Sequence, residues 1–167
     1  MNQDEMKATF LETYDQYAGD IFRFCSMKIS NREVAEDITQ EVFMRLWQAL
    51  RDGTELRNPR ALLYTIARNL VIDWYRKKKE SSLDVLTDMG IDFGSEDHKG
   101  IVRDAEMQEV LKVINQLDEP SRDALLMRYV EGLSPQEIAE ITEETANVIS
   151  VRINRAIKKV QDLIHAI

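Results

Sequence analysis

Each of the chain's three prolines, Pro59, Pro120 and Pro135, follows a capping or turn residue at a point where apolar residues begin to recur at helical spacing. Proline is tolerated at a first helical position, where its missing N–H would have no intrahelical partner, and it breaks a helix further in. The chain is therefore constrained to helices that start at these points. No useful stretch alternates apolar and polar residues as a strand would, and no segment repeats. The spacing predicts an all-α protein. Three main helices are expected over about Lys7 to Lys28, Ser30 to Leu50 and Asn58 to Lys79, the second opened by a capping box of Ser30 and Glu33. Further helices are expected near 104–117, 120–131, 135–141 and 146–165, with Gly132 as a stop.

Between the two groups lies the stretch Glu80 to Val102, which holds three of the six glycines (Gly90, Gly94 and Gly100) and no sustained helical period. It reads as an acidic flexible linker, so the expected organisation is a helical domain at 1–79, a linker at 80–104 and a second helical domain at 105–167. Apolar residues such as Leu83, Leu86 and Phe93 also let the linker dock somewhere. A length of 167 residues accommodates two such small domains.

Net charge is −8, which at first sight opposes nucleic-acid binding. The sum hides an alternation. Residues 51–79 carry 8 basic against 3 acidic side chains, and residues 145–167 carry 4 against 1, whereas residues 80–119 carry 3 against 11. Two basic islands on an acidic body suggest two short contacts with a polyanion and other surfaces for other partners. No apolar run approaches the roughly 18–20 residues of a membrane span, and the opening MNQDEMKATF lacks an apolar signal core, so a cytoplasmic protein without membrane insertion is expected. The single cysteine, Cys25, reads as a small buried hydrophobe. His98 and His165 are isolated, and no metal-ligand cluster, phosphate loop or nucleophile constellation is visible, so neither an enzyme nor a cofactor is expected.

On the second helix Val34, Ile38, Val42, Leu46 and Ala49 share one face and are expected to bury. Phe43 and Trp47 lie about 100° from that stripe, beside Glu36 and Gln40. Either the helix is sandwiched between neighbours, or the second stripe is a partner surface with an aromatic anchor flanked by Asp37, Gln40 and Glu41. The pattern leaves both open. On the third helix Leu62, Leu63, Ile66, Leu70 and Trp74 are expected to bury, next to a polar stripe of Thr65, Asn69, Asp73 and Arg76. Cations at a helix C-terminus suit the macrodipole, and Asp73 can pair with Lys77. Four consecutive cations, Arg76 to Lys79, exceed that need and, with an Asn and an Arg able to bond base edges, point to nucleic acid.

The clearest local signal lies in Leu133-Ser134-Pro135-Gln136-Glu137-Ile138-Ala139-Glu140-Ile141, a short turn, and Ala146 to Val160. Ser134 and Glu137 form a capping box and Thr145 can cap the second helix. Ile149, Ile153, Ala156 and Val160 face inward. Asn147, Ser150, Val151, Asn154, Arg155 and Lys158 face outward, with Arg152 and Lys159 at one edge. This is a helix-turn-helix pattern whose second helix fits a major groove.

Taken together, these segments resemble a bacterial RNA polymerase sigma factor of the extracytoplasmic-function (ECF) class of the sigma-70 family. Val34-Ala-Glu-Asp-Ile-Thr-Gln-Glu-Val-Phe-Met-Arg-Leu-Trp47 is similar to the family's core-polymerase-binding helix, which docks on the clamp helices of the largest polymerase subunit. The resemblance implies that Asp37, Gln40, Glu41, Phe43 and Trp47 form that surface or its immediate support. Asn58 to Arg76 is similar to the helix that reads and opens the −10 promoter element, which implies roles there for Asn69, Asp73, Arg76, Lys77 and Lys78. It also places the loop 51–57 near a flipped-out base. The C-terminal unit resembles the domain that reads the −35 element, through Asn147, Ser150, Val151, Arg152, Asn154, Arg155, Lys158 and Lys159. Implied partners are core RNA polymerase, promoter DNA and an anti-sigma protein.

Three positions depart from the family: Glu143 stands where glycine is common, Glu144 where an apolar residue is, and Ser150 where a lysine is. Carboxylates near phosphates weaken binding or face another protein. The competing readings are an autonomous helix-turn-helix transcriptional regulator, which leaves the basic third helix and the Phe43/Trp47 stripe without a role, and a helical adaptor, against which the basic islands count.

Overall fold

The computed structural model describes residues 1–81 and 105–166, which fall into two compact helical units. No strand occurs among the described residues. The expected linker lies outside them apart from Glu80 and Ser81, which continue the third helix past Lys79.

The first unit contains α1 (Gln3–Lys28), α2 (Arg32–Arg51) and α3 (Pro59–Ser81), each packed on the other two. Helix α1 starts four residues before the expected Lys7. The Asn2 side chain accepts from the Glu5 amide at 2.8 Å and the Glu5 carboxylate accepts from the Asn2 amide at 2.9 Å, a capping box that satisfies two end donors. Helix α2 is capped by Asn31, not by Ser30. The Asn31 side chain accepts from the Val34 amide at 3.2 Å, and Asn serves as well as Ser in that position. At α3 the Asn58 side chain accepts from the Ala61 amide at 3.1 Å, so this helix opens where Pro59 placed it.

The core faces need two corrections. Helix α2 buries Ala35, Ile38, Val42, Phe43, Leu46 and Leu50, while Val34 and Ala49 are half-buried. Helix α3 buries Ala61, Leu63, Tyr64, Ala67 and Val71, and leaves Leu62, Ile66, Leu70 and Trp74 only half-buried. Small alanines let α3 approach its neighbours closely, so close packing favours a face that a count of bulky apolar residues passes over. The Tyr64 ring meets Phe24 edge-to-face at 5.3 Å, and the Tyr75 hydroxyl donates to the Lys28 carbonyl, tying α3 to the end of α1. Cys25 is buried in this core and forms no disulfide among the described residues.

The second unit contains α4 (Ala105–Ile114), α5 (Glu119–Leu125), a π-helical turn continuing it (Leu126–Val130), α6 (Pro135–Thr142) and α7 (Ala146–His165). Gly132, at φ +72, ends the π-helical segment in the left-handed conformation that glycine adopts without strain. The Ser134–Glu137 capping box forms, with bonds of 3.1 and 3.0 Å, and the Thr145 hydroxyl accepts from the Val148 amide at 3.2 Å to open α7. Ile149, Ile153 and Ala156 are buried as the periodicity predicts, and Val160 is half-buried.

The turn between α6 and α7 passes through Glu143 at φ 59, ψ 40. A residue with a Cβ in that region is strained by roughly 1 kcal/mol, which glycine avoids. Glu143→Gly is therefore expected to stabilise the unit by about that amount and raise its melting temperature by several degrees. An unchanged or lowered midpoint in thermal unfolding contradicts this account of the turn.

Candidate polymerase and nucleic-acid interfaces

On the first unit, α1 and α2 enclose an open groove lined by Phe10 and Tyr14 from one side and Gln40, Phe43, Met44 and Trp47 from the other. Phe10 and Tyr14 are four apart and face the same way on α1. Tyr14 meets Phe43 at 4.9 Å and Phe10 meets Trp47 at 5.6 Å, both edge-to-face, as aromatic quadrupoles favour. Phe43 is only 3% exposed, so it belongs to the packing between α1 and α2. Trp47 is half-buried in the groove, and the rim is open, with Met44 59% and Tyr14 45% exposed. The two readings of the second stripe thus divide along the helix: Phe43 is core, and Trp47 with Met44 is surface. Asp37 and Gln40 are exposed beside it, and Glu41 pairs with Arg45 at 3.1 Å. Phe10, Tyr14 and Met44 were missed by sequence reasoning, although the Phe10–Tyr14 spacing carried the signal.

On α3, Asn69 is exposed and Thr65 donates its hydroxyl to the Ala61 carbonyl at 2.7 Å. Asp73 pairs with Arg76 at 3.1 Å and not with Lys77. The Lys78 ammonium sits 4.9 Å from the centroid of the Trp74 ring, a cation–π contact that fixes its direction. Lys77 and Lys79 are exposed and make no ion pair among the described residues. In the loop before α3, Gly53 turns at φ +80 and the Thr54 amide closes on the Ala49 carbonyl at 2.9 Å.

On the second unit, α6 supports α7 by packing Ile138, Ala139 and Ile141 beneath it. Asn147, Val148, Val151, Arg152 and Arg155 border one shallow concavity with Asp118 and Ser121. Asn154, Lys158 and Lys159 are exposed, and Ser150 is half-buried. Arg152 is engaged across the turn. Its Nη1 donates to Glu144 Oε1 at 2.7 Å and its Nη2 to Oε2 at 2.6 Å, a two-pronged charged pair. These hydrogen bonds raise the guanidinium's pKa above its ordinary value against the opposing effect of burial, and the charges of Glu144 and Asp118 add to them.

Among the described residues no group of three or more His, Cys, Asp or Glu side chains is placed to hold a metal, and no helix is long and apolar enough to cross a membrane.

The fold defines a class: a two-unit, all-α protein whose second unit closes in a helix-turn-helix. The sigma-70 region 2 family model matches residues 13–81, and the sigma-70 region 4 model matches residues 107–160. RNA polymerase sigma factor SigV of Bacillus subtilis (strain 168) is 31% identical over an alignment of 158 residues that covers 91% of this chain and 89% of SigV. The ECF RNA polymerase sigma factor SigX of the same organism is 24% identical over 161 residues, covering 92% of this chain and 82% of SigX. Two solved structures share the fold. One is the sigma factor RpoE in complex with the anti-sigma factor NepR from Bartonella quintana, with TM-score 0.69, 23% identity and coverage of 94% of this chain and 97% of that one. The other is CnrH in complex with the cytosolic domain of CnrY, with TM-score 0.66, 22% identity and coverage of 96% and 90%. The chain belongs to the sigma-70 family of RNA polymerase sigma factors, in its ECF class, and so to the transcription initiation factors.

Proposed function

We propose that the first unit binds core RNA polymerase through the α1–α2 groove and engages the −10 element through α3, while α7 engages the −35 element. The clamp helices of the largest polymerase subunit would fill the groove against Trp47 and Met44, with Asp37, Gln40 and Glu41 around them and Phe43 supporting from beneath. Asn69 would meet a base near the melted strand, and Arg76, Lys77 and Lys78, with Lys79 next to them, its phosphates. Opening a base pair costs a few kcal/mol, and trapping the single strand offsets that cost. Residues 1–79 and 105–167 would act as the two promoter-reading domains with 80–104 as their linker. The chain would perform no chemistry, working in the cytoplasm with the polymerase.

The observation that carries this reading is the open aromatic groove, on the same unit as the basic helix. An autonomous regulator has no use for Met44 and Tyr14 at 59% and 45% exposure around a half-buried tryptophan. Apolar surface of that kind is normally covered by a partner. When polymerase is absent an anti-sigma protein would cover it, as NepR forms a complex with RpoE. Size-exclusion chromatography with core polymerase tests the assignment. The chain should co-elute with core, and separate elution with tight, specific binding of the free chain to duplex promoter DNA would favour the autonomous regulator.

A further inference from the structure

We infer that Glu144 is a positioning residue that withholds Arg152 from the DNA backbone, so that the first two turns of the recognition helix read bases without a free cation. The inference rests on α7 facing the −35 element. Both terminal nitrogens of Arg152 are bonded to the two oxygens of Glu144, eight residues earlier and across the turn, at 2.7 and 2.6 Å. The two side chains are only 22% and 31% exposed, so the pair is partly shielded from water. Asp118, which lines the same concavity, adds a second carboxylate field at Arg152.

The consequence is an uneven charge along α7. Arg155, Lys158 and Lys159 make no ion pair among the described residues, and all three follow Arg152 along the helix. Before Arg152 the helix offers Asn147, Val148, Ser150 and Val151, none of them charged. An asparagine there suits adenine and a valine methyl suits the thymine methyl, whereas a guanidinium would add a phosphate contact or favour guanine. An already neutralised Arg152 releases no counterion on meeting a phosphate. Partly exposed ion pairs contribute little to folding, so stability alone does not account for the pair.

The test uses holoenzyme assembled from core polymerase and the full chain. The probe is a duplex that wild-type holoenzyme selects from a library randomised at the −35 element. Affinity is measured between about 50 and 200 mM salt, a range over which phosphate contacts are resolved. Glu144→Ala, and in the same direction Glu144→Gln, should steepen the slope of log K against log salt by about 0.9, one added phosphate contact. Adding Arg152→Gln to Glu144→Ala should return the slope to the wild-type value. Arg155→Gln, the control for α7 itself, should make the slope shallower by about 0.9. An unchanged or shallower slope for both Glu144 variants, with Arg155→Gln behaving as expected, overturns the role of Glu144 alone. If Arg155→Gln also has no effect, α7 does not face the DNA and the −35 assignment falls with it.

Discussion

Phe43→Ala is expected to destabilise the first unit by about 3–5 kcal/mol, the range for truncating a buried aromatic ring. The ring is 3% exposed and meets Tyr14 and Phe10 edge-to-face, at 4.9 and 6.4 Å, so its removal leaves a cavity between α1 and α2 that neither backbone can close. The variant should melt well below the wild type. Trp47→Ala should behave differently. Trp47 is half-buried and its one close ring partner among the described residues is Phe10 at 5.6 Å, so truncation costs roughly half as much stability and shows chiefly as weakened binding to core polymerase. Thermal unfolding with a polymerase-binding titration separates the two. Should Trp47→Ala melt as low as Phe43→Ala while the folded protein keeps full affinity, the groove is only packing and the polymerase face lies elsewhere.

The second large effect is expected at the end of α3. Lys77 and Lys79 are exposed and carry no ion pair among the described residues, whereas Arg76 is held by Asp73 and Lys78 lies over Trp74. Each free lysine that neutralises a phosphate of the melted strand contributes about 0.7 to the salt slope. Lys77→Ala with Lys79→Ala should therefore flatten the slope of holoenzyme binding by about 1.4 and lower affinity most at low salt. Because these side chains stand in water, the melting temperature should hardly move. An unchanged slope at unchanged stability would show that the cations serve only the helix macrodipole.

The helix starts were largely legible because prolines and caps act locally. Pro59 and Pro135 with Ser134 and Glu137 do the same thing in the folded protein as in an isolated segment. The cap at Asn31 was displaced by one residue because Ser30 and Asn31 are both competent caps and only the packed register of α2 chooses. The face of α3 was misjudged because burial depends on what a neighbour can approach. Ala61 and Ala67 carry little apolar bulk, yet they are buried as completely as Leu63 and Tyr64, at 1% and 0% exposure. The groove was half legible. Phe43 and Trp47 stood out on α2, but its other wall, Phe10 and Tyr14, comes from a helix some thirty residues earlier, and no local pattern joins them. Glu144 was visible as a departure from the family and Arg152 as a cation at one edge of α7, but not as a pair. That the two meet depends on the left-handed turn at Glu143, a conformation glutamate seldom adopts.

Promoter-directed transcription with purified core polymerase and this chain, with the 5′ ends of the products mapped, bears most directly on the central assignment. Core alone should start without preference. Adding the full chain should concentrate starts at a small set of positions, each preceded by shared −10 and −35 sequences, and Trp47→Ala should reduce those starts. Starts that remain scattered when the folded chain is present in excess over core would contradict the assignment.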